Sequence, residues 1–150
     1  MTTTDLEPYE FRDPAALIGE LAERIPLSED TAYLVLVERP STAQRIIRID
    51  RLRTPAEILQ DDDAEDEMRD VIDTWPLPEQ RPPRHATVLV LVRPGWCVFG
   101  PNEAQWFNAD RYLNHLRSVY TGDCILVTEH GWVDFMTYCA ASTPAMRSAG

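Results

Sequence analysis

Two runs of β-forming residues constrain this chain more than any other feature. Thr31–Glu38 (Thr-Ala-Tyr-Leu-Val-Leu-Val-Glu) and residues 86–92 (Ala-Thr-Val-Leu-Val-Leu-Val) are almost unbroken in apolarity. A strand with one wet face alternates apolar and polar residues, whereas a strand without alternation is buried on both faces. The chain must therefore cover two sides of a sheet, and helices packed against it are the economical cover. The second run is expected at the centre of the sheet, where its β-branched residues favour parallel pairing. A length of 150 residues suits one domain, which buries roughly 70% of the surface of its unfolded chain.

The other elements are read from periodicity and punctuation. Asp13-Pro14 is an N-cap with proline at the first helical position, and Leu17, Ile18, Leu21 and Ile25 form an apolar stripe that Pro26 closes. Residues 44–52 alternate imperfectly and make a second, more exposed strand, paired in a hairpin with Thr31–Glu38. Thr54-Pro55-Ala56-Glu57 is a capping box that predicts a helix toward Trp75, with Ile58, Met68, Val71 and Ile72 inside. Repulsion among the carboxylates of residues 61–67 is expected to kink or fray that helix, with a restart near Asp63. Four prolines make residues 76–84 a stiff internal linker. Pro101 opens a third helix carrying Trp106, Ala109, Leu113, Leu116 and Tyr120 on one face, with Gly122 as its stop. Residues 124–128 and 132–136 are the last two strands, joined by Glu129-His130-Gly131. The order α-β-β-α-β-α-β-β describes an α/β (α+β) domain over residues 13–138, a mixed sheet of about five strands with three helices. Residues 1–12 are expected to be a flexible arm and residues 139–150 a flexible tail.

Charge narrows the function classes. Acids outnumber bases 25 to 14, a net charge of −11, which disfavours direct binding to nucleic acid or to an anionic membrane. Every base is arginine, so Schiff-base chemistry, a phosphate-loop lysine and a lysine general base are excluded. The arginine bias also suits a GC-rich bacterial genome. The first residues lack a basic and apolar leader pattern, and Cys97, Cys124 and Cys139 are odd in number and far apart. Reduced thiols in a cytoplasmic protein are the expectation.

From Thr31 to Phe135 the element order resembles the JAB/MPN metalloprotease-type domain, in particular its RadC-like bacterial branch. The resemblance rests on residues 88–94 (Val-Leu-Val-Leu-Val-Arg-Pro), Pro101-Asn102-Glu103, and the turn Gly131-Trp132-Val133-Asp134-Phe135. It covers about two thirds of the chain. In that family a His-x-His-Pro motif and a following Ser-x-x-Asp hold zinc, whose bound water a glutamate deprotonates. Here Leu91 and Arg93 stand at the two histidine positions and only Pro94 persists. The Ser-x-x-Asp segment would fall near Pro101 or Asn102 and Ala104 or Gln105. The resemblance thus implies a degenerate relative without the metal ligands or the activity, with no cofactor and no metal.

The leading expectation is a non-catalytic interaction or regulatory domain with a protein partner, basic in character given the net charge. Its contact residues would be Arg93, Trp96, Phe99, Asn102 and Glu103, provided the loop of residues 93–100 is exposed. The acidic patch Asp61, Asp62, Asp63, Glu65, Asp66 and Glu67 could steer such a partner, or simply be a solvated helix face. The alternative is a hydrolase with an atypical metal site or with Cys97 as nucleophile. A thiol near Arg93 and a helix N-terminus can have a lowered pKa, and His115 or His130 would be its base. His85, Asp110, Cys124 and Glu129 add metal-ligating side chains but lack paired spacing. Asp110 and Asn114, one turn apart, share a side of the third helix with Arg111 and His115 nearby. A third possibility is an acidic mimic of nucleic acid.

Overall fold

The computed structural model describes residues 6–57, 61–114 and 117–147, with side chains described for all of these except 61–63. Three helices and six strands form one mixed sheet with helices on both faces. The strands are β1 (Thr31–Glu38), β2 (Arg45–Arg51), β3 (His85–Val92), β4 (Tyr120–Thr128), β5 (Gly131–Asp134) and β6 (Ala140–Ala141). Their order across the sheet is β2-β1-β3-β4-β5-β6. β1 pairs antiparallel with both β2 and β3, β3 pairs parallel with β4, and β5 and β6 follow antiparallel. The expected hairpin is present, and β3 is parallel on one side only. No helix among the described residues is long and apolar enough to cross a membrane.

The absence of alternation in β1 and β3 has the expected cause. On one face Tyr33, Val35, Val37, Val88, Val90, Val92, Ile125 and Val127 meet Leu17, Ile18 and Leu21 of α1 (Pro14–Arg24). The Asp13 carboxylate caps α1 by accepting the Ala16 N–H at 3.0 Å. On the other face Leu34, Leu36, Leu89, Leu91, Cys124 and Leu126 meet α2 (Asp61–Asp73) and α3 (Pro101–Arg111). Ala64, Met68 and Ile72 recur at helical spacing and put one side of α2 into this second core, with Trp75 just beyond.

Several expectations need correction. The capping box at Thr54 does not open a helix; residues 53–57 are irregular and α2 begins at Asp61. The Ala56 carbonyl instead accepts Asn102 Nδ2 at 2.7 Å and the buried Trp106 Nε1 at 2.8 Å, fixing this segment against α3. α3 stops at Arg111, and Gly122 lies within β4. A Cβ at Gly122 would come 2.5 Å from the Thr87 carbonyl and 2.6 Å from the Phe11 ring, so glycine allows this close approach. Parts of the expected arm and tail are packed against the body of the domain. Phe11 is buried in the α1-side core, and the Arg12 N–H donates to Pro40 O. Residues 140–141 form β6, which makes six strands. Met146 packs into the same core, and the backbone N–H of Met146 and of Arg147 donate to Thr128 and Leu27.

Candidate functional site

The segment after β3 is organised by one arginine. Arg93 Nε and Nη2 donate to the two oxygens of Glu103 at 2.9 and 2.7 Å. Nη1 donates to the carbonyls of Pro94 and Trp96, and Nη2 also to that of Val98. All five N–H bonds of the guanidinium thus have acceptors, three of them carbonyls of the loop itself and two the oxygens of Glu103. Glu103, itself buried, also accepts Gly100 N at 2.8 Å and Asn102 Nδ2 at 2.9 Å. Burial would push the Glu103 carboxyl up, but the bonds from Arg93, Asn102 and Gly100 outweigh it and hold it below the ordinary range. The side-chain bond to Glu103 likewise raises Arg93.

Arg93, Asn102 and Glu103 therefore build the loop from within, and the side chains turned outward are others. Trp96 is 74% exposed and Val98 65% exposed. The Trp96 indole stacks on His130 with centroids 4.8 Å apart and planes at 13°. His130 Nε2 lies 3.6 Å from Glu129, whose carboxylate accepts Gly95 N at 3.0 Å. Gly95 needs its φ of +105°, which other residues rarely adopt. Phe99 is half-turned inward, edge-on to Phe135 at 4.0 Å and to Phe107 at 6.2 Å. These three rings with Met136 and Tyr138 line an apolar cleft of about 450 Å³. Tyr138 is 83% exposed. The sequence marked Trp96 and Phe99; it gave no sign that Val98, Met136 and Tyr138 extend the same surface.

The surroundings of Cys97 differ from those expected for an activated thiol. Cys97 Sγ is half-buried and reaches the Leu126 carbonyl at 3.7 Å. Burial pushes its pKa up, against the lowering expected from Arg93, whose guanidinium is committed to Glu103. The His130 ring stacks on Trp96 with its Nε2 3.6 Å from Glu129, and His115 lies outside the described residues. No group of three His, Cys, Asp or Glu side chains among the described residues could hold a metal ion.

The acidic run divides. Asp61, Asp62 and Asp63 begin α2, and their side chains lie outside the described residues. Glu65 pairs with Arg69 at 2.5 Å, and Asp66 is exposed. Glu67 turns inward and accepts the backbone N–H of Arg53 at 2.5 Å and of Thr54 at 2.8 Å. Glu67 thus ties α2 to the chain before it.

Three buried carboxyls were not foreseen as a group. Asp110 and Asn114 do share a side, and it faces the interior. Burial pushes Asp110 up to about 8. Asp123 in β4 and Asp134 in β5 are buried neighbours. Burial and the adjacent Asp134 carboxyl push Asp123 up to about 9, so the pair keeps a proton at neutral pH. The Oδ2 atoms of both have no hydrogen-bond partner among the described residues. The available signal was an acid within each of two apolar strands, Gly-Asp-Cys-Ile-Leu-Val and Trp-Val-Asp-Phe. No family model, curated protein or solved structure matches the chain.

Proposed function

We propose that this chain is a non-catalytic protein-interaction domain of a bacterial cytosolic protein. Its docking face is the surface formed by Trp96, Val98 and the cleft of Phe99, Phe107, Phe135, Met136 and Tyr138. One observation carries the reading: a saturated buried ion pair holds the loop in place while Trp96 stays 74% exposed. Exposed large apolar side chains that are contiguous mark contact surfaces more often than scattered ones do. Covering a side chain of this class contributes roughly 1.5–3 kcal/mol, and a loop already fixed by Arg93 loses little entropy on binding. The partner would present an apolar anchor for the cleft, flanked by basic groups that match the net charge of −11 and the half-exposed Glu129 beside Trp96. On this reading the likeness to JAB/MPN domains is one of architecture alone. Leu91 is core, and Arg93 is the loop clamp, where that family places histidines.

The double variant Trp96→Ala, Val98→Ser removes two mostly solvated side chains and leaves the backbone acceptors of Arg93 in place. Affinity capture from a lysate of the source cells, with Arg48→Ala on β2 as a control, is the test. A partner retained by the wild type and by Arg48→Ala should fall at least tenfold with the double variant. Equal capture by all three baits contradicts the assignment.

A further inference from the structure

The sheet ends on β2, whose outer side meets no strand among the described residues. Leu52 N donates to Ala32 O at 2.8 Å, and this fixes which way the peptide groups of β2 turn. Opposite residues of an antiparallel ladder alternate between bonded and non-bonded pairs. Asp50, opposite Leu34, therefore turns its N–H and C=O toward β1, and Ile49 and Arg51 turn theirs outward. Among the described residues nothing bonds to these outward groups. An open edge of this kind is a template for one more strand. Its side chains select which strand. Residues 45–53 carry four of the 14 arginines and one acid, in a molecule of net charge −11. The side chains of Arg45 and Arg53 are 72% and 92% exposed, and Arg51 is exposed with no ion-pair partner among the described residues. Arg45 pairs with Glu38 at 3.0 Å and Arg48 with Asp50 at 2.9 Å, both at the surface, where such pairs exchange partners at little cost. A strand bearing carboxylates would set opposite charges across the new ladder. A second copy of β2, parallel in register or antiparallel about Arg48, would set arginine against arginine. The bulge at Ile47, which is left out of the pairing with β1, confines the regular edge to residues 48–51.

We propose that the outer edge of β2 docks an extended acidic segment of a partner protein as a further strand of the sheet. Backbone bonds to Ile49 and Arg51 hold the segment, and its carboxylates meet Arg48, Arg51 and Arg53. The backbone bonds supply affinity and the arginines supply selectivity. The site lies at the opposite end of the sheet from β5, β6 and the aromatic face, and it does not depend on that face.

The probe is an acetylated, amidated peptide of four glutamate-valine repeats, titrated into ¹⁵N-labelled protein at pH 7. One counterpart carries lysine in place of glutamate, and another carries an N-methyl group at every residue, which removes its backbone donors. Saturable amide shifts along residues 48–53 are expected with the glutamate peptide, with a Kd below about 1 mM. Hydrogen exchange at the Ile49 and Arg51 amides should slow at least tenfold when the peptide is saturating. The lysine and N-methyl peptides should each bind at least tenfold more weakly, and so should the glutamate peptide to the double variant Arg48→Gln, Arg51→Gln. Equal binding of the glutamate peptide and either counterpart, unchanged exchange at Ile49 and Arg51, an unaltered Kd in the double variant, or no saturable shift overturns the proposal. So does a dimer that protects the same two amides with no peptide present, which would assign the edge to a second copy of the chain.

Discussion

Single buried side chains carry much of the chemistry here. Asp110 is the clearest, because desolvation alone accounts for its position near 8. A carboxyl whose folded pKa lies above its unfolded value of about 4 binds more protons folded than unfolded across that interval. Its contribution therefore falls as pH rises from about 4 to about 8 and is constant above. Asp123, pushed up to about 9, acts in the same direction. Asp110→Asn removes the penalty without changing shape. It should stabilise the protein by at least about 1 kcal/mol at pH 8 and by much less at pH 5, as measured by urea denaturation at the two values. A gain at pH 5 equal to that at pH 8 would contradict the burial argument. Residue by residue, the sequence was least informative about such groups. Nothing in Asp110-Arg111-Tyr112-Leu113-Asn114 distinguishes a helix side turned to solvent from one turned inward. Trp96 was legible as a surface aromatic only on the condition of exposure, which the loop's internal bonding decides.

Among the elements, strands were legible and helix boundaries were not. β1, β2, β3 and β5 fall close to where hydrophobic patterning puts them, because the pattern reports burial: β1 and β3 are buried along almost their whole length, and β2, with its imperfect alternation, is largely exposed. The helix expected from Thr54 fails because a local capping signal competes with tertiary bonds: Ala56 O is taken by Asn102 and Trp106, and the N–H groups of Arg53 and Thr54 by Glu67. β6 and the packed segment near Met146 have too little apolar sequence to signal order; they are fixed by β5, Thr128 and Leu27. The loop after β3 behaves as an element in its own right, with Arg93 as its centre. Arg93→Met leaves Glu103 buried and unpaired, which should cost about 3–5 kcal/mol. Adding Glu103→Leu should recover most of that loss, since a packed apolar pair can replace a buried ion pair. Urea melts of the single and double variants measure both; a loss below about 1 kcal/mol in the single variant would show that the loop does not need its clamp.

Across the whole molecule, two cores on opposite faces of one six-stranded sheet account for the continuous apolarity of the central strands. That relation made the fold class legible before any coordinates. The proposed docking surface was less so, because it gathers residues 96–99, 107 and 135–138 from separate parts of the chain. The arrangement leaves one end of the sheet rigid, aromatic and open, in a molecule with eleven surplus negative charges. The most direct measurement is position-specific photo-crosslinking in living source cells. A benzophenone amino acid at position 96 should give a discrete adduct of defined mass. The same probe at position 112, which carries a tyrosine of 65% exposure outside the cleft, should not. Identical adducts from both positions, or none from position 96, would contradict a partner seated on the aromatic face.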